Sequence, residues 1–275
     1  MKKFICCFLV LLLVSACAQQ SKVQQSNPNN NTSVKITKPT DVSGEKEKNN
    51  RIKKGLTLAQ LHYKYPTDFF FSGPRSKRAV ALTFDDVPDP RFTPQVLDLL
   101  RKYGVKATFF CVGNRAKQHP ELVKQMIQEG HEIGNHTYTH PNLPKVNNDQ
   151  VHDEIQKTEK VLFSIVGYKP KLFRPPYGNI EEAQLQWLVS EGYKTIHWDV
   201  DSKDWKDLHA TQIKANILKH THSGSIILQH AGGGESESDY LKETIKALPD
   251  VLQTLKSKGF KLVTVSELLN IPNKK

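Results

Sequence analysis

The chain has 275 residues, 37% hydrophobic and 24% charged, enough for one sizeable core, and it carries a formal net charge of +11. Residues 1–75 hold 12 Lys and Arg against 4 Asp and Glu, which leaves +3 for the other 200 residues. A basic excess that lies mostly at one end, with no helix-turn-helix, zinc-finger or RNA-binding pattern, argues against a nucleic-acid partner and for attraction to an anionic lipid or wall surface.

In chain order, Met1, Lys2 and Lys3 give a basic start to an apolar run from Phe4 to Val14. That run is shorter than the roughly 20 residues a spanning helix needs, so residues 1–16 predict a secretory signal peptide. Val14-Ser15-Ala16-Cys17 resembles the bacterial lipobox, which implies cleavage before Cys17, acylation of its thiol and an exported lipoprotein at the outer face of the cell membrane. Cys6 and Cys7 leave with the signal, so Cys111 has no partner for an internal disulfide and reads as a small apolar strand residue. Residues 17–54 are Asn, Gln, Ser, Lys and Thr with almost no large apolar residue, which predicts a lipid-anchored disordered tether reaching roughly 35 Å. Asn30-Asn31-Thr32 fits a glycosylation sequon but reads as tether composition. Residues 55–76 regain Leu, Tyr and Phe as a lead-in, and residues 77–270 form the domain proper.

Within that domain, strand-like runs fall at Ala79–Phe84, Ala107–Val112, Glu132–Asn135, Lys171–Phe173, Lys194–Trp198, Ser225–Gln229 and Lys261–Val265. Helix-length stretches separate them at Thr93–Tyr103, Pro120–Glu129, Asp149–Val166, Ile180–Glu191, Ala210–His220 and Tyr240–Lys258. Thr93-Pro94 resembles a helix cap followed by proline, and Gly104, Gly130, Gly192 and Gly259 fall where helices should stop. Seven alternations predict an α/β fold, a single distorted (β/α)7-type barrel with a parallel sheet. In such barrels chemistry sits at the carboxyl ends of the strands.

Five of those seven ends carry reactive groups: Asp85 and Asp86, His136 and His140, Arg174, then Asp199, Asp201 and Asp204, and finally His230. Solvation alone would spread polar residues over both barrel faces, so the clustering argues for an enzyme. His136 and His140 with a carboxylate from another strand end have the composition of a divalent-metal site. Thr137, Tyr138 and Thr139 are poor helix formers, so the spacing predicts a tight turn, and the absence of Glu at position 137 excludes the zincin motif. Asp199 and Asp201 read as loop caps. Gly232-Gly233-Gly234 lacks the Lys-Ser/Thr of a phosphate loop and reads as a flexible loop beside the site.

Taken together, Thr83-Phe84-Asp85-Asp86, His136-Thr137-Tyr138-Thr139-His140, Arg174-Pro175-Pro176-Tyr177, Asp201-Ser202-Lys203-Asp204-Trp205 and Leu228-Gln229-His230 resemble the five ordered motifs of polysaccharide deacetylases, the NodB-homology group or carbohydrate esterase family four. The fourth motif is most similar in form to enzymes acting on peptidoglycan N-acetylglucosamine. The resemblance implies one divalent metal ion, zinc before cobalt or another ion, held by Asp86, His136 and His140. It assigns Asp85 as general base oriented and kept ionised by Arg174, the backbone N–H of Tyr177 as oxyanion donor, and His230 as general acid aligned by Asp204. Trp205 and Leu228 would line the acetyl pocket. Val87 stands where the family carries glycine, which bears on loop shape. The implied activity is metal-dependent N-deacetylation of peptidoglycan by a monomer. The alternatives are a deacetylase or esterase of chitin, xylan or another acetylated polymer, and a catalytically silent wall-binding lipoprotein.

Overall fold

Short β-branched and aromatic runs joined by amphipathic stretches fold as parallel strands, because a parallel pair needs a crossover long enough to hold a helix. The computed structural model describes residues 55–233, 239 and 241–275, which all belong to one compact unit. The signal peptide, Cys17, the tether, Gly234 and the expected helix start at Tyr240 lie outside the described residues.

Nine parallel strands are present among the described residues: β1 (Phe69–Phe70), β2 (Ala79–Val87), β3 (Thr108–Cys111), β4 (Glu132–Asn135), β5 (Leu172–Phe173), β6 (Lys194–Ile196), β7 (Val200–Asp201), β8 (Ile226–His230) and β9 (Lys261–Val263). Their order is β1-β6-β5-β4-β3-β2-β8-β7, with β9 also on β2. An antiparallel bridge between Ser72 and Ser225 ties the chain after β1 to the start of β8. The result is the α/β distorted barrel that the sequence pattern predicts. Around it run α1 (Leu58–Lys64), α2 (Thr93–Lys102), α3 (Gly113–Gln118), α4 (Pro120–Gln128), α5 (Asn148–Val166), α6 (Glu182–Ser190), α7 (Ala210–His220), α8 (Lys242–Ser257) and α9 (Val265–Leu269). None of the described helices is long and apolar enough to cross a membrane.

Several local expectations change. The lead-in contributes α1, closed by a Thr57–Gln60 capping box, and β1, which pairs with β6. The run expected as a strand to Val265 stops at Val263, because Thr264 caps α9 in a second box with Glu267. Phe92, not Thr93, holds the cap position of α2. The Thr93 hydroxyl instead accepts from the Asp89 N–H and donates to the Ala231 carbonyl, fastening α2 to the loop after β8. Gly104, Gly130, Gly192 and Gly259 do end their helices, each at positive φ.

Phe84, Phe109, Cys111 and Val87 pack in the main core between sheet and helices. Val87 is fully buried there, so the departure from glycine falls on the core side of β2 rather than in the site wall. Cys111 is likewise buried and unoxidised, and burial holds its thiol well above the usual range, as befits a packing residue.

Candidate active site

Adjacent residues of a plain strand point to opposite faces, so Asp85 and Asp86 should not share a site. The structure departs from the plain strand at this point. The β2–β3 register shifts between Phe84 and Val87, and Asp86 takes a left-handed backbone at φ 66°. This bulge turns both carboxylates toward one cavity. Behind it, a Cβ on Gly232 would lie 1.8 Å from the Asp86 carbonyl oxygen, so only glycine fits. Gly232 and Gly233 are therefore buried backing, with the Gly233 N–H bonded to Asp89, and the expectation of a flexible loop is corrected for these two residues.

The histidine turn is built just as closely. Thr137 and His140 have φ of 66° and 63°, and the Thr137 hydroxyl accepts from the His140 N–H at 3.1 Å. Asn135 Oδ1 accepts from the Thr137 N–H. Glu154, on α5, accepts from the N–H groups of Tyr138 and Thr139 at 2.8 and 2.7 Å and from the Thr139 hydroxyl at 2.8 Å. Asp86 Oδ1 then lies 3.6 Å from His136 Nε2 and 3.2 Å from His140 Nε2. His136 Nδ1–H donates to the Arg174 carbonyl at 2.7 Å, which fixes the tautomer and leaves Nε2 as a lone-pair donor. Burial and the neighbouring His140 hold His136 down to about 3, so its ring is neutral at ordinary pH. One ligand atom from each of Asp86, His136 and His140 falls within 4.8 Å of the others, a donor set that suits a divalent cation.

On the other side stands the ionic pair of the site. Fully buried Arg174 donates to Asp85 Oδ1 and to the Thr83 hydroxyl, both at 2.8 Å, and to the carbonyls of Ile196 and His197. Its guanidinium also stacks 4.1 Å from the Phe110 ring. Burial raises the Asp85 carboxyl above its ordinary value, and the Arg174 charge only partly offsets this. The Arg174 charge thus favours the ionised carboxylate, while burial opposes ionisation and strengthens Asp85 as a proton acceptor.

Asp85 pairs in register with His230 on neighbouring β8. Buried Asp204 accepts from His230 Nδ1 at 2.8 Å and from its backbone N–H at 2.9 Å, and the Thr244 hydroxyl donates to the same carboxylate at 3.0 Å. Burial lowers the imidazole, but the charge and hydrogen bond of Asp204, with Asp86 and Asp85 behind them, push it up to about 9. An imidazole held in its cationic form thus stands beside the Asp85 carboxyl.

These groups open into a cavity of about 320 Å³ lined by Asp85, Asp86, His136, His140 and His230, with Leu228, Tyr177, Trp198, Trp205 and Asp201 as walls. Tyr177 and Trp205 are 63% and 51% exposed, so they stand at the mouth, while Leu228 lies at depth. Tyr177 has φ 59° in the short turn after Arg174, and its ring meets His140 edge-on. Asp201 caps Lys203 and Asp199 caps the start of β8, as expected of loop caps, though Asp201 also reaches the cavity wall. Sequence reading gave no site role to Glu154, Thr83 or Trp198. Thr83, two residues before Asp85 on the same strand face, was the one with a legible signal.

A polysaccharide deacetylase family model matches residues 72–196. A peptidoglycan-N-acetylglucosamine deacetylase of Bacillus cereus is 46% identical over 200 residues, 73% of this chain and 71% of that protein. A peptidoglycan-N-acetylmuramic acid deacetylase of Bacillus subtilis is 36% identical over 70% of this chain and 39% of its own length. The solved structure of a peptidoglycan N-acetylglucosamine deacetylase superposes with a TM-score of 0.74 at 43% identity, covering 78% of this chain and 98% of that one.

Proposed function

Because the chain belongs to the polysaccharide deacetylase family and is a hydrolase of that kind, we propose that it removes acetyl groups from N-acetylglucosamine residues of cell-wall peptidoglycan. The observation that carries this reading is the convergence of Asp85, Asp86, His136, His140 and His230 on one cavity with aromatic walls at its mouth. Relatives of this chain bear names that place their action on peptidoglycan sugars, which supports the polymer class.

One divalent cation, zinc before cobalt in our reading, would be held by Asp86, His136 and His140 and would polarise the acetyl carbonyl as a Lewis acid. Asp85 takes a proton from the attacking water as its oxygen bonds to the carbonyl carbon. Arg174 holds Asp85 in place through the whole step. The Tyr177 N–H donates to the carbonyl oxygen as negative charge grows there. When the carbon–nitrogen bond breaks, His230 gives its proton to the departing amine, and Asp204 stabilises the cationic form that precedes the transfer. Acetate and a free amino sugar leave. Leu228 and Trp205 enclose the acetyl methyl and keep bulk water out.

The same proposal places residues 1–16 as a removed signal, Cys17 as the lipidation site, residues 17–54 as a tether and residues 77–270 as the catalytic domain, on a monomer at the outer face of the cell membrane. The test is acetate release by the metal-loaded protein from peptidoglycan, chitin oligomers and acetylxylan. We expect peptidoglycan to be the preferred substrate. Preference for chitin or acetylxylan would move the assignment to another polymer, and no release from any of them would leave a silent wall-binding protein.

A further inference from the structure

Beside the reaction cavity lies a second groove of about 630 Å³, twice as large, which shares Asp86, His140 and Tyr177 with it as a common wall. A space of that size next to the reacting group suits the adjoining sugar of a polymer, and its lining differs in kind from the first. Arg115, Gln118 and His119 present one face of α3 and its end, and Arg91 stands nearby. The charges in this groove do not cancel in the obvious way. Asp89 is buried and spent, since its oxygens accept from the Arg91 backbone and guanidinium and from the Gly233 N–H. Asp86 is turned to the two histidines. His119 Nδ1 lies 3.4 Å from Glu121.

Arg115 is the exception. It is half-buried, its guanidinium donates to the backbone carbonyl of Asp86, and it makes no ion pair among the described residues. A half-desolvated guanidinium kept beside a cation-binding cluster, with no carboxylate of its own, lacks the partner that its planar fork is shaped for. We propose that this groove is a subsite for a carboxylate carried on the sugar next to the one that loses its acetyl group, and that Arg115 reads that carboxylate. The proposal rests on the deacetylase reading above and extends it to substrate selection. Peptidoglycan offers the required chemistry twice, in the lactyl carboxylate of its alternate sugar and in the carboxylates of a peptide stem, whereas chitin offers neither.

The experiment compares three oligosaccharides of equal length on the metal-loaded protein: a neutral chitin oligomer, a peptidoglycan repeat with free lactyl carboxylates, and the same repeat bearing peptide stems. Acetate release is measured for the wild type, Arg115→Gln and Arg115→Lys, each with its metal content determined. The wild type should favour a carboxylate-bearing oligomer over the neutral one, and whichever repeat it favours identifies the carboxylate source. Arg115→Gln should reduce that preference ratio roughly tenfold, mainly through KM, and Arg115→Lys should retain part of it. A ratio unchanged in Arg115→Gln, or equal losses on all three oligomers, would overturn the proposal and leave Arg115 as a support for Asp86. Calorimetric binding of the same oligosaccharides reads the subsite apart from turnover. If no oligomer were deacetylated, tighter, salt-sensitive binding of the carboxylate forms that Arg115→Gln abolishes would still uphold the subsite, and equal binding of all three would sink it.

Discussion

At the scale of single residues, the two neighbouring aspartates are separated by their surroundings, since Asp85 is fixed by Arg174 while Asp86 faces His136 and His140. Asp85→Asn should therefore keep the cation while turnover falls about 10²–10⁴-fold, the usual worth of a positioned base. Asp86→Asn should bind the cation weakly and regain part of its activity in excess metal. Parallel metal analysis and acetate assays check this, and recovery of Asp85→Asn by metal instead would reverse the two roles. In the proposed mechanism His230 supplies the pH dependence. Its folded-state value is pushed up to about 9, so the acid form is present below that pH and is lost as pH rises through it. A cation bound at Asp86 offsets the part of this rise owed to Asp85 and Asp86, so the alkaline limb of the rate profile should fall at or somewhat below about 9. Asp204→Asn removes the largest raising influence and leaves burial to dominate, so the limb should move to lower pH. A limb that stays in place would show that His230 is not the acid.

At the scale of elements, the histidine turn is held from α5, where one carboxylate of Glu154 caps two successive N–H groups and a hydroxyl. Glu154→Ala should lower cation affinity by roughly 10–100-fold, as for other groups that orient metal ligands, with the barrel still folded. Glu154→Gln, which keeps an acceptor oxygen, should recover most of the loss. Titration calorimetry on the three proteins decides it, and equal affinities would mean that the turn holds its shape without α5. The strands and main helices were legible because their apolar periods and glycine stops are local signals. The bulge at Asp86 and the backing by Gly232 were not, since both arise where β2, α3 and the loop after β8 crowd together. Glu154 was hidden for a related reason: a carboxylate on a long amphipathic helix looks solvated until the helix is docked. The two-residue strands β1 and β7 escaped notice because β1 lies within the segment read as a lead-in and β7 among aspartates read as loop caps.

At the scale of the whole molecule, the proposed lipid anchor and tether would hold the barrel near an anionic surface. Cys17→Ala should move the protein from the membrane fraction to a soluble or unprocessed pool, as fractionation with lipid labelling would reveal, and continued lipid labelling would refute the anchor. The barrel itself gathers residues from β2, β4, β5, β8 and the turn after β7 onto one end, so that Asp85, His230 and the Asp86, His136 and His140 cluster meet although they stand up to 145 residues apart in sequence. The most direct test of that arrangement is acetate release from peptidoglycan by the purified protein stripped of metal and then titrated with zinc. The account predicts no release without metal and full release at one equivalent per chain. Undiminished release by protein shown by elemental analysis to be metal-free would contradict it.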